Sequence, residues 1–161
     1  MPESQTANVP APRAQTLALQ SFVNRIMRGV LRTPLLCRAA GKRLIVLYVV
    51  GRKSGRRYVV PVAYVRDGDA LLVGTPFGWV RNLRTGQEIT VRYKGKRRLA
   101  DVQVYTDEAD VVDKYASMAR DNHQFAKFNR IGIGTDGAPD ETDLRLAWVA
   151  GARAVRLTVR S

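Results

Sequence analysis

Two runs of β-branched and apolar residues, 44–50 and 58–65, enclose the short segment Gly51-Arg52-Lys53-Ser54-Gly55-Arg56-Arg57. Runs of this composition read as strands, and glycine and serine between them read as a hairpin turn. Few chains can place four cationic side chains on one tight turn, because like charges repel unless an anion sits among them. Guanidinium forks, an ammonium, the Ser54 hydroxyl and the amides near Gly51 and Gly55 have the makings of a phosphate cradle. The bland alternative is a solvated basic hairpin tip that keeps a sheet edge soluble.

Net charge extends the point beyond this turn. With 27 Lys and Arg against 14 Asp and Glu, the chain carries +13. That surface favours polyanions, acidic lipids or a multiply anionic small molecule. Cys37 and His123 are each the sole residue of their type, which rules out an intramolecular disulfide, a standard zinc site and any triad that does not rest on His123. The neighbours of His123 suggest an ordinary helical or helix-end position. No apolar run approaches the ~20 residues needed to span a bilayer, and no charged segment followed by an apolar run opens the chain. The expected location is the cytoplasm.

Hydropathy patterning divides the chain. Residues 1–16 are Pro/Ala/Gln-rich with little to bury and read as a mobile tail before a single domain over 17–161. Leu19, Phe22, Val23, Ile26, Met27, Val30 and Leu31 recur at helical spacing up to Pro34. This basic amphipathic helix packs on the sheet, or alternatively touches a membrane surface peripherally. Further strands are expected at 70–74, 89–93 and 98–105 and at the C-terminus, with turns at 66–69 and 94–96. A helix follows Thr106 as N-cap, with Asp107, Glu108 and Asp110 in its acidic first turn, and a short one covers 142–149. Pro61 inside a strand indicates a bulge or an unpaired edge. About six strands in hairpins, with one leading helix and others inserted late, make the class α+β, mainly β: an antiparallel sheet or small barrel.

Residues 132–137 spell G-x-G-x-x-G, yet no strand precedes them and Ala138-Pro139 follows, so a flexible turn is expected instead of a dinucleotide site. A second candidate feature is Pro76-Phe77-Gly78-Trp79-Val80-Arg81-Asn82-Leu83. Trp79 can wall a flat ring while Asn82 bonds its polar edge; equally, Trp79 can be core. Without a metal set, a triad or an isolated carboxylate pair, the chain offers little chemistry of its own, as in proteins whose cofactor carries the reaction.

The order strand, Gly51-Arg52-Lys53-Ser54-Gly55, strand with Pro61, Tyr64-Val65-Arg66-Asp67-Gly68-Asp69, strand, Trp79-x-x-Asn82-Leu83 and then a basic hairpin resembles the deazaflavin-dependent nitroreductase family. The resemblance runs from about Leu17 to the terminal strand. It implies a split β-barrel related to the flavin-binding pyridoxamine-phosphate-oxidase fold. It also implies use of coenzyme F420, a deazaflavin whose tail carries a phosphodiester and glutamyl carboxylates. On matching positions Arg52, Lys53 and Ser54 would hold the phosphate, and Pro61, Trp79 and Asn82 would line the deazaflavin and nearby tail. Tyr58 stands where some relatives carry arginine, with Arg57 adjacent as a substitute. Phe77 lies near where some relatives place a lysine.

The activity implied is hydride transfer from the reduced deazaflavin to a small unsaturated acceptor: a quinone, enone or nitro compound. Tyr58 and Tyr64 are the candidate proton donors, solvent being the alternative. An FMN-binding or other flavin reductase on the same fold, and a non-catalytic basic module for nucleic acid or anionic lipid, are the competing readings. Against nucleic acid, the cations are spread over several turns without an aromatic stacking platform. A homodimer is compatible with all of these.

Overall fold

A computed structural model of the chain describes residues 43–161; the expected tail, the leading helix and Cys37 lie outside the described residues. Seven strand segments form one antiparallel sheet: β1 (Leu44–Val50), β2 (Arg57–Ala63), β3 (Val65–Asp67), β4 (Ala70–Thr75), β5 (Glu88–Tyr93), β6 (Lys96–Tyr105) and β7 (Arg153–Val159). Their order is β2-β1-β5-β6-β7-β4-β3. The two ends of that order, β2 and β3, are consecutive in the chain, parted only by Tyr64. One continuous run therefore pairs first with β1 and then with β4, and the sheet curls back on itself as a split β-barrel. The single strand expected over 58–65 thus breaks at Tyr64, whose amide still donates to the Arg43 carbonyl oxygen at 3.0 Å. Pro61 opposes Val46 in unbroken register. It is tolerated because, among the described residues, β2 has no second neighbouring strand to receive the N–H that proline lacks.

The strand period of two sorts the side chains onto two cores. On β4, Leu71 and Val73 point into the barrel with Ile45, Leu47, Val91 and Leu157. Leu72, between them, points outward into a second cluster with Val111, Tyr115, Met118 and Leu144. That second cluster is roofed by three helices, α1 (Glu108–Asp121), α2 (His123–Phe128) and α3 (Glu141–Val149). The N-cap of α1 is Asp107, one residue later than expected, and it makes no side-chain cap bond. Thr106 is instead where the Trp148 indole N–H finds a carbonyl acceptor, at 2.9 Å.

Helix α2 takes up the segment expected to be helical or a helix end, but as a separate helix after α1. It starts because Asn122 accepts from the amides of Gln124 and Phe125, and Phe125 packs edge-on against Tyr115, ring centroids 5.1 Å apart. His123 is its exposed first residue, as the helix-end reading expected. The G-x-G-x-x-G segment follows this helix, with no strand before it. It forms a turn closed by the Ile133–Pro139 bridge and the Gly134 N–H to Ala138 O bond. Among the described residues no helix is long and apolar enough to cross a membrane.

Candidate cofactor cleft

The β1–β2 turn owes its shape to Gly51. Its N–H donates to Arg56 O at 2.7 Å, and its carbonyl accepts from Gly55 N–H at 2.8 Å. A Cβ on Gly51 would lie 2.7 Å from Ser54 Oγ and 3.0 Å from Tyr58 Cε2, closer than side chains tolerate. Ser54 Oγ also accepts from the Arg56 amide at 3.3 Å. These contacts fold the turn so that Arg52, Lys53, Ser54, Arg56 and Arg57 all face solvent.

The second wall is a single turn of 3-10 helix, Gly78–Asn82, immediately after β4. Asn82 joins the two walls. Its Oδ1 accepts from the Arg52 amide at 3.0 Å, and its Nδ2 donates to the Trp79 carbonyl at 3.1 Å. Both polar ends of this side chain are thus engaged by backbone, one on each wall. The tie draws Arg81 and Arg84, on either side of Asn82 and Leu83, toward the cations of the turn.

Two adjoining hollows result. One, of about 300 Å³, is lined by Lys53, Ser54, Tyr58, Gly78 and Arg81; the other, of about 490 Å³, by Val50, Gly55, Arg84 and Gln87. Gly51, Arg52 and Asn82 border both. No carboxylate lines either one. Among the described residues, Arg52, Lys53, Arg81 and Arg84 make no ion pair. Four cations from two chain segments converge with nothing anionic between them. That donor set fits an anionic ligand such as a phosphodiester with carboxylates, and would repel a cation.

Of the residues singled out in the sequence, Arg52, Lys53, Ser54, Tyr58 and Asn82 meet here. Arg57 opens β2 beside the turn without lining a hollow. Pro61 lies four residues further along β2. Trp79 is half-buried and packs against the barrel core, outside both linings. Tyr64 sits at the opposite end of β1, next to Arg43. A seven-residue strand separates it from the turn, ~20 Å at a rise of ~3.3 Å per residue. Burial first, and then its hydrogen bond with Tyr93, push its hydroxyl above the ordinary tyrosine range.

Nothing in the sequence assigns Arg81, Arg84 and Gln87 to this cleft. The alternation Trp79-Val80-Arg81-Asn82-Leu83-Arg84 carries charge at 81 and 84 around buried Val80 and Leu83. Nothing local, however, says which turn those arginines face; the Asn82 tie decides that. Among the described residues no cluster of His, Cys, Asp and Glu could hold a metal ion.

The family model for F420H(2)-dependent quinone reductase matches residues 23–136. Among solved structures, a candidate 5-nitroimidazole antibiotic resistance protein from Bacteroides thetaiotaomicron is similar over 81% of each chain, at 9% identity and a TM-score of 0.48. No curated protein matches the sequence.

Proposed function

The chain belongs to the F420H(2)-dependent quinone reductase family, and from that membership we propose that it reduces a small unsaturated acceptor with the coenzyme seated in the cleft between the β1–β2 turn and the 3-10 turn. It is an oxidoreductase, and its cofactor is coenzyme F420. A quinone, an enone or a nitro compound is the acceptor class this reading favours. The observation that supports the location is the convergence of Arg52, Lys53, Arg81 and Arg84 in a cleft without a carboxylate.

Arg52, Lys53, Arg81 and the Ser54 hydroxyl are the donors for the tail phosphate. Guanidinium forks give it bidentate contacts and the ammonium a point charge. Gly51 keeps the turn tight enough to present those donors together. Asn82 acts as a positioning residue through its two backbone bonds, which leave its second N–H and second lone pair for the ligand. When bound, the reduced coenzyme supplies a hydride. The proton that completes the reduction comes from solvent at this open cleft or from the Tyr58 hydroxyl. Tyr64, at the other end of β1, is the alternative donor if the ring extends along the barrel away from the turn.

The test is titration of purified protein with the deazaflavin coenzyme and with FMN, followed by turnover on a quinone, an enone and a nitro compound. The expected result is quenching of tryptophan fluorescence with low-micromolar affinity for the coenzyme, about −8 kcal/mol, with FMN much weaker. FMN binding as tightly, or no binding of either together with salt-sensitive retention on nucleic acid or acidic vesicles, would overturn the reading.

A further inference from the structure

The outer surface of the sheet is roofed on one side only. Helices α1, α2 and α3 build the second core on outward residues of β3, β4 and β7. On β2, β1, β5 and the first half of β6, the residues that alternate with the barrel core lie exposed or half-buried. Among them Val59 is 52% exposed, Val50 49% and Leu99 42%. Large apolar side chains left open on neighbouring strands mark a docking surface.

Register sorts these outward residues into rows. Val59 lies opposite Tyr48, Tyr48 opposite Thr90 and Thr90 opposite Leu99, so a mostly apolar row crosses four adjacent strands. Two residues away on one side, Val46 lies opposite Arg92 and Arg92 opposite Arg97. The Arg97 guanidinium sits 4.8 Å from the centre of the Tyr48 ring, and among the described residues neither arginine makes an ion pair. Two residues away on the other side, Glu88 lies opposite Asp101. Arg160 binds both of these carboxylates, which leaves one of their two charges unbalanced. Arg57, opposite Val50, is a cation at the far corner of that side. The face is therefore apolar along its middle, basic along one margin and acidic along the other.

We propose that this face docks on a second copy of the chain about a twofold axis that runs along the apolar row. Such an axis turns the strands end for end and sets Val59, Tyr48 and Leu99 against their own counterparts. It also lays the Arg92–Arg97 margin of each copy over the Glu88–Asp101 margin of the other, and the contact occurs twice because the interface is isologous. An axis parallel to the strands would stack arginine on arginine, which repulsion disfavours. Four strands ~4.8 Å apart and three rows ~6.8 Å apart cover about 400 Å². That is about half of the ~800 Å² per partner in a standard interface, so the dimer is a weak one, with a dissociation constant on the order of 10–100 μM.

Sedimentation velocity of the full-length protein from about 1 to 500 μM tests it, and the wild type is expected to pass reversibly from monomer to dimer over that range. Arg92→Glu and Glu88→Arg should each weaken the dimer about tenfold or more when alone, because each brings like charges together twice. An equimolar mixture of the two should dimerise again, since both contacts at these positions then join opposite charges. Leu99→Asp should leave a monomer, whereas Leu146→Glu, on the exposed face of α3, should change nothing. A wild type that stays monomeric throughout, or single charge variants that dimerise as well as it does, would overturn the interface. So would a mixture that stays monomeric although both variants melt as the wild type does, or loss of the dimer in Leu146→Glu.

Discussion

Asn82→Ala probes the joint on which the cleft depends. The substitution removes two hydrogen bonds, to the Arg52 amide at 3.0 Å and to the Trp79 carbonyl at 3.1 Å. Water replaces the first, because the Arg52 amide sits at an exposed turn; the second is part-buried and is replaced less well. At about 0.5–1.5 kcal/mol for each net bond, the expected loss is about 1–2 kcal/mol. At ~2–4 °C per kcal/mol for a domain of this size, the melting temperature should fall by about 2–8 °C. Binding should suffer separately. An untied turn has to be ordered again when the phosphate arrives, at about 1–2 kcal/mol for each backbone residue refixed. Coenzyme affinity should therefore drop by about tenfold or more, although neither of these two bonds is to the ligand. The assay pairs a thermal melt without ligand with a fluorescence titration. A variant with wild-type melting temperature and reduced affinity would mean that Asn82 touches the ligand directly and that the tie carries no energy. A lowered melting temperature with unchanged affinity would mean that the turn is held by other contacts.

Three further outcomes follow from particular contacts. Gly51→Ala places a methyl 2.7 Å from Ser54 Oγ and 3.0 Å from the Tyr58 ring, so both side chains must shift; coenzyme binding should weaken with only a modest fall in melting temperature, and a crystal structure of the variant would show the two side chains displaced. Trp79→Phe underfills a site against the barrel core and should destabilise by about 1 kcal/mol or more, while the coenzyme-induced rise in melting temperature persists; loss of that rise with unchanged stability would place the indole on the ligand. Arg160 holds the Asp101 carboxyl below its ordinary value. A depressed carboxylate contributes stability above its unfolded pKa and loses it as pH falls through the folded one. Urea midpoints between about pH 2 and pH 5 should therefore decline more steeply for the wild type than for Asp101→Asn, and parallel curves would show that the pair is not formed in solution.

Much of the barrel is legible because its strands are short β-branched, apolar runs bounded by glycine and charged turns. The apolar run 44–50 coincides with β1, in which Ile45, Leu47 and Val49 are fully buried between half-exposed neighbours. Illegible was the closure. Tyr64 continues the apolar pattern of its flanks, so nothing local marks it as the point where one run leaves β1 for β4; only the register of both partners does. Helix α2 as a separate element was missed for a similar reason. Six residues are too few to show a helical period, and its start depends on Asn122, which reads equally well as a loop residue.

The cleft shows the same limit more sharply. Composition points to its charge: the Gly51–Arg57 turn faces solvent, and among the described residues its cations make no ion pair. Composition could not tell which side chains with ligand-like chemistry are spent on the protein itself. Asn82 has the donor and acceptor that a polar cofactor edge calls for, yet the Arg52 amide and the Trp79 carbonyl already take one bond from each end. Trp79 has the flat face of a ring wall, yet it packs into the barrel. Arg81 and Arg84, which any sequence reading treats as surface, become cleft residues through that same Asn82 contact. An amide that bonds two backbones turns a charged hairpin tip into one side of a site, and for this reason Asn82 binds more of the cleft together than any cation in it.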